Sequence, residues 1–340
     1  MNMRTKIALF AILPGLTLAR AETSPPMMKA LVIHSFGGPE VLKYEDAPRP
    51  EPKDDQVLVR VVAAALNPVD TAVRQGYLRQ RTGEKFPMIL GYDIAGVVEK
   101  AGAKVTKFKP GDAVYAYLTL NGGGYAEYAV AWENEATRKP KPLTFEEAAA
   151  VPLAGETAWQ ALIDTAKLQS GQTVLIHGGS GGVGSLAVQI AKARGAKVIA
   201  TASTANQETV KQLGVDHAID YTQTKFEEQV KDVDVVLDTV GKDTLTRSYD
   251  VVKKGGIVVT IAGKPDQAEC EKRGIRGASI RTEPKTETLE ELTKLIDAGK
   301  MKPIVSQVLP LSEGAKAQEQ VATRHTRGKI VLKVADAPTR

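Results

Sequence analysis

The feature that most constrains this 340-residue chain is a glycine-rich loop in residues 177–192, which read HGGSGGVGSLAVQIAK. Within it, Gly179, Gly181 and Gly184 match the pattern GxGxxG. A short apolar run, TVLI at 173–176, precedes the loop, and a helix-forming run follows it. Glycines at these positions let the chain turn tightly and let backbone N–H groups approach a pyrophosphate at the positive end of a helix. The loop therefore predicts a dinucleotide-binding βαβ unit.

The sequence around this loop alternates between strand-like and helix-like segments. Apolar runs such as KVIATA, DVVLD and GIVVTIAG are separated by segments with helical periodicity. The first of these helices is predicted from Val183 to about Arg194, with apolar residues three and four positions apart. Such alternation is typical of a doubly wound parallel sheet. We place this Rossmann domain at residues 151–299.

The residues on either side of that domain have a different character. From Ala30 to about Trp132, strand-like runs such as VLVRVVAAAL are separated by Gly, Pro, Asn and Asp. Near the end of the chain, KIVLKV at 329–334 is strand-like again. We therefore expect an α/β protein of two domains, with a β-rich domain over residues 28–150 that is completed by residues 300–336.

The first 21 residues have the pattern of a secretory signal, with a basic start, an apolar run and a small-x-small cleavage site. The apolar run is short for a bilayer span, so no stable membrane span is expected. Met27 and Met28 stand directly before the folded region and offer an alternative start. A signal at residues 1–21 predicts an exported or periplasmic protein, and a start at Met27 or Met28 predicts a cytoplasmic one.

Charge and cysteine content exclude two classes of protein. The chain has 45 basic and 40 acidic residues, and three of the basic residues lie within positions 1–21. The remainder is nearly balanced and has no basic cluster interleaved with aromatics, which argues against nucleic-acid binding. The single cysteine, Cys270, cannot form an intramolecular disulfide or a cysteine-rich zinc site. Its polar surroundings predict a surface thiol.

The end of the second Rossmann strand indicates which nicotinamide cofactor binds. An acidic residue about 20 positions after the glycine loop would bind the ribose of NAD and repel a 2′-phosphate. Here Ser203 holds that place, and the first acidic residue after it is Glu208. Ser203, Asn206 and Tyr221 can donate hydrogen bonds to a 2′-phosphate. The sequence thus favours NADP(H).

Beyond these patterns, residues 28–334 resemble the medium-chain dehydrogenase/reductase family, and within it the zinc-free, zeta-crystallin-like quinone oxidoreductase branch. The segments that carry the resemblance are LNPVDTAVRQG, GYDIAGVVEKAG, GGYAEYAV, AAAVPLAGETAWQAL, the glycine loop and HTRGKIVLKV. The resemblance implies a GroES-like catalytic domain beside the Rossmann domain, with the cofactor in the cleft between them. It also implies a homodimer.

The resemblance bears on zinc as well. Zinc-containing members of the family carry a Cys and a Gly-His-Glu triplet as metal ligands, and the corresponding places here read Asn67-Pro68-Val69-Asp70 and Gly91-Tyr92-Asp93. Without a Lewis acid, the site suits an acceptor that delocalises its own negative charge. We therefore predict a zinc-independent enzyme that transfers hydride from NADPH to a quinone or an α,β-unsaturated carbonyl.

The resemblance further assigns the cofactor contacts. The pyrophosphate is expected on the loop residues Gly179, Ser180, Gly181, Gly182, Val183 and Gly184. Thr157 is expected near the nicotinamide, and Ala262 and Gly263 are expected to flank its ring.

The candidates on the acceptor side are three polar residues. Asn67 is expected as a polar contact at the mouth of the active site, and Tyr77 or Tyr92 is expected to donate a proton or a hydrogen bond to the acceptor oxygen. Some relatives carry a lysine two residues after the aspartate of NPVD, but this chain has Ala72 there. The electrostatic clamp that such a lysine would provide is therefore not expected from position 72.

Two other interpretations are weighed against this one. Tyr249 and Lys253 match the YxxxK pair of short-chain dehydrogenases, but they follow the glycine loop too closely for that fold. A cofactor-binding protein without turnover, serving as a sensor or a structural protein, stays open because this branch has no invariant nucleophile or metal whose loss would be visible. Acceptor-dependent oxidation of NADPH would separate the two functions.

Overall fold

The structure is a computed structural model that describes residues 26–119 and 122–338, so the signal predicted at residues 1–21 lies outside the described residues. The strands are β1 Met27–Ile33, β2 Lys43–Pro48, β3 Gln56–Ala65, β4 Met88–Ile89, β5 Asp93–Ala101, β6 Ala113–Tyr117, β7 Tyr128–Trp132, β8 Ala136–Arg138, β9 Thr173–Ile176, β10 Lys197–Ala202, β11 His217–Asp220, β12 Val233–Asp238, β13 Val252–Thr260, β14 Arg276–Ser279, β15 Val305–Pro310 and β16 Lys329–Lys333. The helices are α1 Pro68–Arg74, α2 Arg79–Thr82, α3 Phe145–Ala149, α4 Pro152–Trp159, α5 Gly182–Ala193, α6 Gln207–Gln212, α7 Asp243–Ser248, α8 Gln267–Arg273, α9 Thr286–Asp297 and α10 Gly314–Ala322.

The second half of the chain forms a six-stranded sheet in the order β11-β10-β9-β12-β13-β14. Every neighbouring pair in it is parallel. This is the doubly wound arrangement, whose strand order reverses between β9 and β12 and opens a crevice at their carboxyl ends. The predicted parallel sheet is confirmed, and the reversal places the glycine loop at that crevice.

Helix α5 has the amphipathic pattern that the sequence predicts. Leu186, Ala187, Ile190 and Ala191 are buried, and Val183 is partly buried against the same core. Their three- and four-residue spacing puts them on one face, which packs on the sheet. None of the helices in the described parts of the chain is long and apolar enough to cross a membrane.

The remaining strands form two further sheets. One has the order β15-β16-β3-β5-β6-β8, with β7 also paired to β3, and the other has the order β2-β1-β4. Strand β16 runs antiparallel to β3, with Val331 opposite Ala65. Because of this pairing, the end of the chain returns to the first domain and brings Lys329 close to the residues that follow β3.

The side chain of Cys270 is buried, with 1% of its surface exposed, so the prediction of a surface thiol is wrong. Cys270 lies on α8, and its sulfur faces β14, where a Cβ at Gly277 would come within 2.7 Å of it. Charged residues flank Cys270 in sequence, but a helix directs neighbouring side chains to different faces. The polar composition of this segment therefore does not indicate that Cys270 faces the core.

Candidate active site

The glycine loop turns the chain from β9 into α5 at the crevice of the parallel sheet. Gly178 has a φ of +70°, a conformation that favours glycine, and Gly181 is the N-cap of α5. A Cβ at Gly184 would lie 2.1 Å from the carbonyl oxygen of Gly178, so only glycine allows this close approach. The first turn of α5 carries no acidic residue, which leaves its N–H groups and positive dipole end available to an anion.

At the carboxyl end of β10, the structure brings together the residues predicted to contact a 2′-phosphate. Asn206 Nδ2 donates to Ser203 Oγ over 3.1 Å, and Tyr221, with 52% of its surface exposed, follows β11. The carboxylate of Asp220 also lies here. It accepts a hydrogen bond of 2.6 Å from Oγ1 of Thr204, the residue that follows Ser203. The sequence analysis did not reveal this carboxylate, since Asp220 belongs to a different strand.

Thr157, predicted near the nicotinamide, is 4% exposed on α4. Its hydroxyl donates to the carbonyl of Leu153 over 2.6 Å, so the 2.6 Å hydrogen bond with Thr282 has Thr282 as the donor. Gly263 leaves space at the other side of the crevice, because a Cβ there would meet only Leu245, at 3.5 Å. Thr282 was not predicted, and nothing near it in the sequence distinguishes it from other loop threonines.

Asn67, Asp93 and Lys329 form what we call the buried polar cluster, and their exposed fractions are 3%, 0% and 6%. Asn67 Nδ2 donates to Asp93 Oδ2 over 2.8 Å. Lys329 Nζ donates to Asn67 Oδ1 and lies 3.3 Å from Asp93 Oδ2. A buried ammonium thus faces a buried carboxylate, with the amide of Asn67 between them. Sequence analysis predicted Asn67 but neither charged partner.

The buried polar cluster is connected to both ends of the predicted cofactor site. Asp93 Oδ1 accepts a 2.7 Å hydrogen bond from the backbone N–H of Leu153, one helical turn before Thr157. A Cβ at Gly182 would lie 2.9 Å from Lys329 Cδ, so the lysine stem runs beside the first turn of α5. The cluster therefore lies between the glycine loop and the helix that carries Thr157.

Asp70 and Tyr125 lie next to the buried polar cluster and are fully buried. Asp70 Oδ2 accepts hydrogen bonds from the backbone N–H of Asn67 over 2.6 Å and from the hydroxyl of Tyr125 over 2.7 Å. Burial raises the pKa of Asp70 to about 7 despite these bonds. Burial also raises the pKa of Asp93, and the nearby Lys329 ammonium opposes that rise.

The two candidate tyrosines lie in different environments. Tyr92 is 1% exposed in the catalytic-domain core, directly before Asp93, and burial raises the pKa of its hydroxyl far above the ordinary range. Its hydroxyl therefore stays protonated. Tyr77 follows α1 with 78% of its surface exposed. The structure brings Tyr92 near the cluster residues but leaves Tyr77 in solvent, and a role for either one stays a prediction.

His177, at the end of β9, is a buried structural residue. Its ring nitrogens lie 3.2 Å from Thr201 Oγ1 and 3.1 Å from Ser248 Oγ. Burial lowers its pKa to about 4, so the ring is neutral at neutral pH. Across residues 26–119 and 122–338, no group of three or more His, Cys, Asp or Glu side chains is arranged to hold a metal ion.

Two family models match the chain. One is described as "Alcohol dehydrogenase GroES-like domain" and matches residues 53–141, and the other is described as "Zinc-binding dehydrogenase" and matches residues 213–332. These stretches fall in the β-rich part of the chain and in the part that runs from the parallel sheet to β16. They agree with the fold described above.

Individual proteins match over most of the chain. It is 41% identical to the chloroplastic NADPH-dependent alkenal/one oxidoreductase of Arabidopsis thaliana, over 91% of this chain and 80% of that protein. It is 34% identical to the quinone oxidoreductase of Sus scrofa, over 91% and 99% of the two chains. Among solved structures, the quinone oxidoreductase from Coxiella burnetii superposes with a TM-score of 0.85 and 36% identity, covering 91% and 100% of the two chains.

The word zinc in one of these family descriptions does not fit the residues present. A catalytic zinc site needs three protein ligands with sulfur, imidazole or carboxylate donors. In the corresponding places the chain has the amide of Asn67, the phenol of Tyr92 and the carboxylate of Asp93. The ammonium of Lys329 already contacts two of these side chains and would repel a second cation.

Proposed function

The chain belongs to the medium-chain dehydrogenase/reductase family, and on that premise we propose that it transfers hydride from NADPH to a quinone or an α,β-unsaturated carbonyl without a metal. The relatives described above are an NADPH-dependent alkenal/one oxidoreductase and quinone oxidoreductases. The observation that carries the proposal is the buried polar cluster. It replaces a metal by a Lys–Asn–Asp arrangement next to an intact cofactor loop.

The cofactor side of the site follows from the glycine loop and the crevice. The first turn of α5, with Gly181 and Gly182, holds the pyrophosphate, and Ser203, Asn206 and Tyr221 hold the 2′-phosphate. Thr157 lies at the nicotinamide, with Ala262 and Gly263 on its other side. When bound, NADPH supplies a hydride from C4 of the nicotinamide ring. The protein's part is to orient the ring and to keep water away.

On the acceptor side, Asn67 is the residue that contacts the acceptor oxygen. A quinone or an enone spreads the negative charge that it gains over several atoms, so hydrogen bonds suffice where an alcohol dehydrogenase needs a Lewis acid. Tyr92 is a second candidate because its hydroxyl keeps its proton. The acceptor is therefore a small conjugated carbonyl compound.

We also infer a homodimer. Strand β14 is at the edge of the six-stranded sheet, and its outer edge has no strand partner within the described residues. An open strand edge is a surface on which a second sheet can pair. Sedimentation analysis would show a species of twice the 36.4 kDa chain mass, and a monomer at all concentrations would contradict this inference.

The test of the function is oxidation of NADPH by the full chain in the presence of a chelator, with and without a small quinone or an enone. Acceptor-dependent loss of NADPH is expected at an undiminished rate in the chelator. Binding of NADPH without oxidation by either acceptor would instead favour the cofactor-binding, non-catalytic alternative. Loss of activity in the chelator would contradict the metal-free proposal.

A second experiment tests the cofactor contacts. Asn206→Asp places a carboxylate at the end of β10 and should weaken NADPH binding at least tenfold by repulsion, while NADH binding changes little. The matched control is Lys211→Gln on the neighbouring helix α6, whose side chain pairs with Glu208 at the surface. Equal weakening of both cofactors by Asn206→Asp would contradict this placement of the 2′-phosphate.

A further inference from the structure

We propose that Lys329 and Asp93 are positioning residues that fix the side-chain amide of Asn67 so that one N–H group faces the oxygen of the acceptor. This inference rests on the proposed function, because it extends the role given there to Asn67. It assigns a task to two charged residues that are remote from Asn67 in the sequence.

The two charged side chains fix the orientation of the Asn67 amide. An ammonium group can only donate hydrogen bonds and an ionised carboxylate can only accept them. Asn67 Oδ1 accepts from Lys329, and Asn67 Nδ2 donates to Asp93 over 2.8 Å. If the amide were flipped, its NH₂ group would face the ammonium and its oxygen would face the carboxylate. The two opposite charges therefore allow one orientation only.

One hydrogen of the Asn67 amide has no partner in the buried polar cluster. Nδ2 carries two, and one of them is used by Asp93. The other has no acceptor among the hydrogen bonds of the described residues. The orientation set by the charges therefore presents one N–H group for a substrate atom, and the ammonium on Oδ1 polarises the amide so that this group is a stronger donor.

Hydrogen bonds of the surrounding backbone hold Asn67 and Asp93 in place. The backbone N–H of Asn67 donates to Asp70, and that of Leu66 donates to Ile330 of β16 over 3.0 Å. Asp93 is held by the N–H of Leu153 at the start of α4. Since these anchors come from rigid elements, the spare N–H group keeps its direction when an acceptor binds.

The chemistry matches this geometry. An acceptor that receives hydride develops negative charge on its carbonyl oxygen, and a preorganised donor in a dry site stabilises that charge most strongly at the transition state. Removing one such donor typically lowers kcat by about 10² to 10³-fold. Lys329 and Asp93 act through Asn67. Removing either one should therefore lower kcat to the extent that the donor strength of Asn67 depends on the orientation of its amide.

A double-mutant cycle with Asn67→Ala and Lys329→Met tests the proposal, with kcat measured at saturating NADPH. We expect each single variant to lower kcat by at least about tenfold and the double variant to fall within about threefold of Asn67→Ala. Losses that multiply in the double variant would show that Lys329 does not act through Asn67. An unchanged kcat in Lys329→Met would also overturn the proposal.

Lys329 lies beside the glycine loop, so its replacement could also affect cofactor binding. The dissociation constant of NADPH is therefore measured for every variant. If Lys329→Met weakened NADPH binding but left kcat at saturation unchanged, the lysine would serve the cofactor alone and the proposal would fail. Asp93→Asn offers a second cycle away from the loop and keeps the size of the side chain. The same threefold criterion against Asn67→Ala applies to it if Lys329→Met does not fold.

The choice of acceptor separates positioning from a merely structural role. The enolate formed from a simple enone is a stronger base than a hydroquinone anion, so it gains more from the N–H group of Asn67. The fold loss in Lys329→Met and Asp93→Asn should therefore be larger with an enone than with a quinone. Equal losses with both acceptors would contradict the proposal. Absence of acceptor-dependent oxidation in the wild-type chain would instead contradict the proposed function.

Discussion

The glycine loop and the buried polar cluster meet where the stem of Lys329 passes Gly182, yet they are built in opposite ways. The loop is a run of neighbouring residues that offers backbone N–H groups and a helix dipole, without an acidic side chain in its first turn. The cluster consists of side chains from the residue before α1, from β5 and from β16, and it buries two full charges.

This difference predicts which substitutions the glycine loop and the buried polar cluster can each tolerate. A site made of backbone depends on close approach, so added volume should damage the binding of an anion to its N–H groups, whereas pH should not change that binding. A site made of buried charges depends on ionisation, so conservative changes of charge should matter there even when the volume is kept. The predictions below test this contrast between volume and charge.

The largest effect is expected for Gly184→Ala in the loop. The new Cβ would lie 2.1 Å from the carbonyl oxygen of Gly178, which is a backbone atom and cannot turn away as a flexible side chain can. We expect saturable NADPH binding to disappear and the melting temperature to fall by several degrees. Fluorescence titration and thermal unfolding measure these effects.

The matched control for that variant is Gly181→Ala, where the Cβ would come no closer than 3.4 Å to the same oxygen. This variant should keep the wild-type melting temperature. If the two alanine variants were equally stable, volume at Gly184 would not be the determinant that we infer.

The next effect concerns charge, at Asp70 beside the buried polar cluster. Its pKa of about 7 in the folded chain lies above the ordinary aspartate value of about 4, so the unfolded chain releases this proton at a lower pH than the folded chain. The ionisation of Asp70 therefore lowers the stability of the wild type as pH rises from about 4 to 7. Asp70→Asn, which does not titrate, should gain up to about 4 kcal/mol relative to the wild type over that range.

Urea unfolding at several pH values measures this difference. Exposed Asp54, which pairs with Lys104 at the surface, gives the control variant Asp54→Asn, whose effect on the free energy of unfolding should be small because exposed ion pairs contribute little. A pH-independent offset for Asp70→Asn would mean that Asp70 is ionised in the folded chain throughout.

At the entrance of the glycine loop, His177 should show a dependence on pH of opposite sign. Its folded pKa of about 4 lies below the ordinary histidine value, so the unfolded chain takes up a proton first as pH falls. The wild type should therefore gain about 3 kcal/mol relative to His177→Gln as pH rises from about 4 to 6.5. Urea unfolding over this range measures the difference in stability between the two proteins. If His177→Gln instead gained stability relative to the wild type as pH rose, the low pKa of His177 would be refuted.

The smallest effect is expected at Cys270, which is buried in the Rossmann domain but uncharged at neutral pH, because burial raises the pKa of its thiol. Cys270→Ala removes one buried sulfur and should cost about 1 kcal/mol at neutral and acidic pH, where the thiol is protonated, without changing the rate of NADPH oxidation. Urea unfolding and steady-state assays measure both quantities. A loss of activity would show that this thiol does more than fill space.

The sequence by itself determines the glycine loop, the helix that follows it and the parallel sheet around them. These features are local, since GxGxxG, the preceding strand and the period of α5 lie within about 20 residues of each other. The absence of a zinc ligand set is also visible there, because the places of Asn67 and Tyr92-Asp93 can be compared with a family pattern.

Only the tertiary structure decides which side chains surround Asn67 and Asp93 at the positions that correspond to the zinc ligands. Lys329 reaches Asn67 because β16 pairs with β3, and Thr282 reaches Thr157 because the loop after β14 folds back onto α4. The sequence offers one hint, a lysine that opens an apolar strand in RGKIVL, but a lysine there is ordinarily solvated. Long-range strand pairing sets which charges meet in the core, and no local pattern records that pairing.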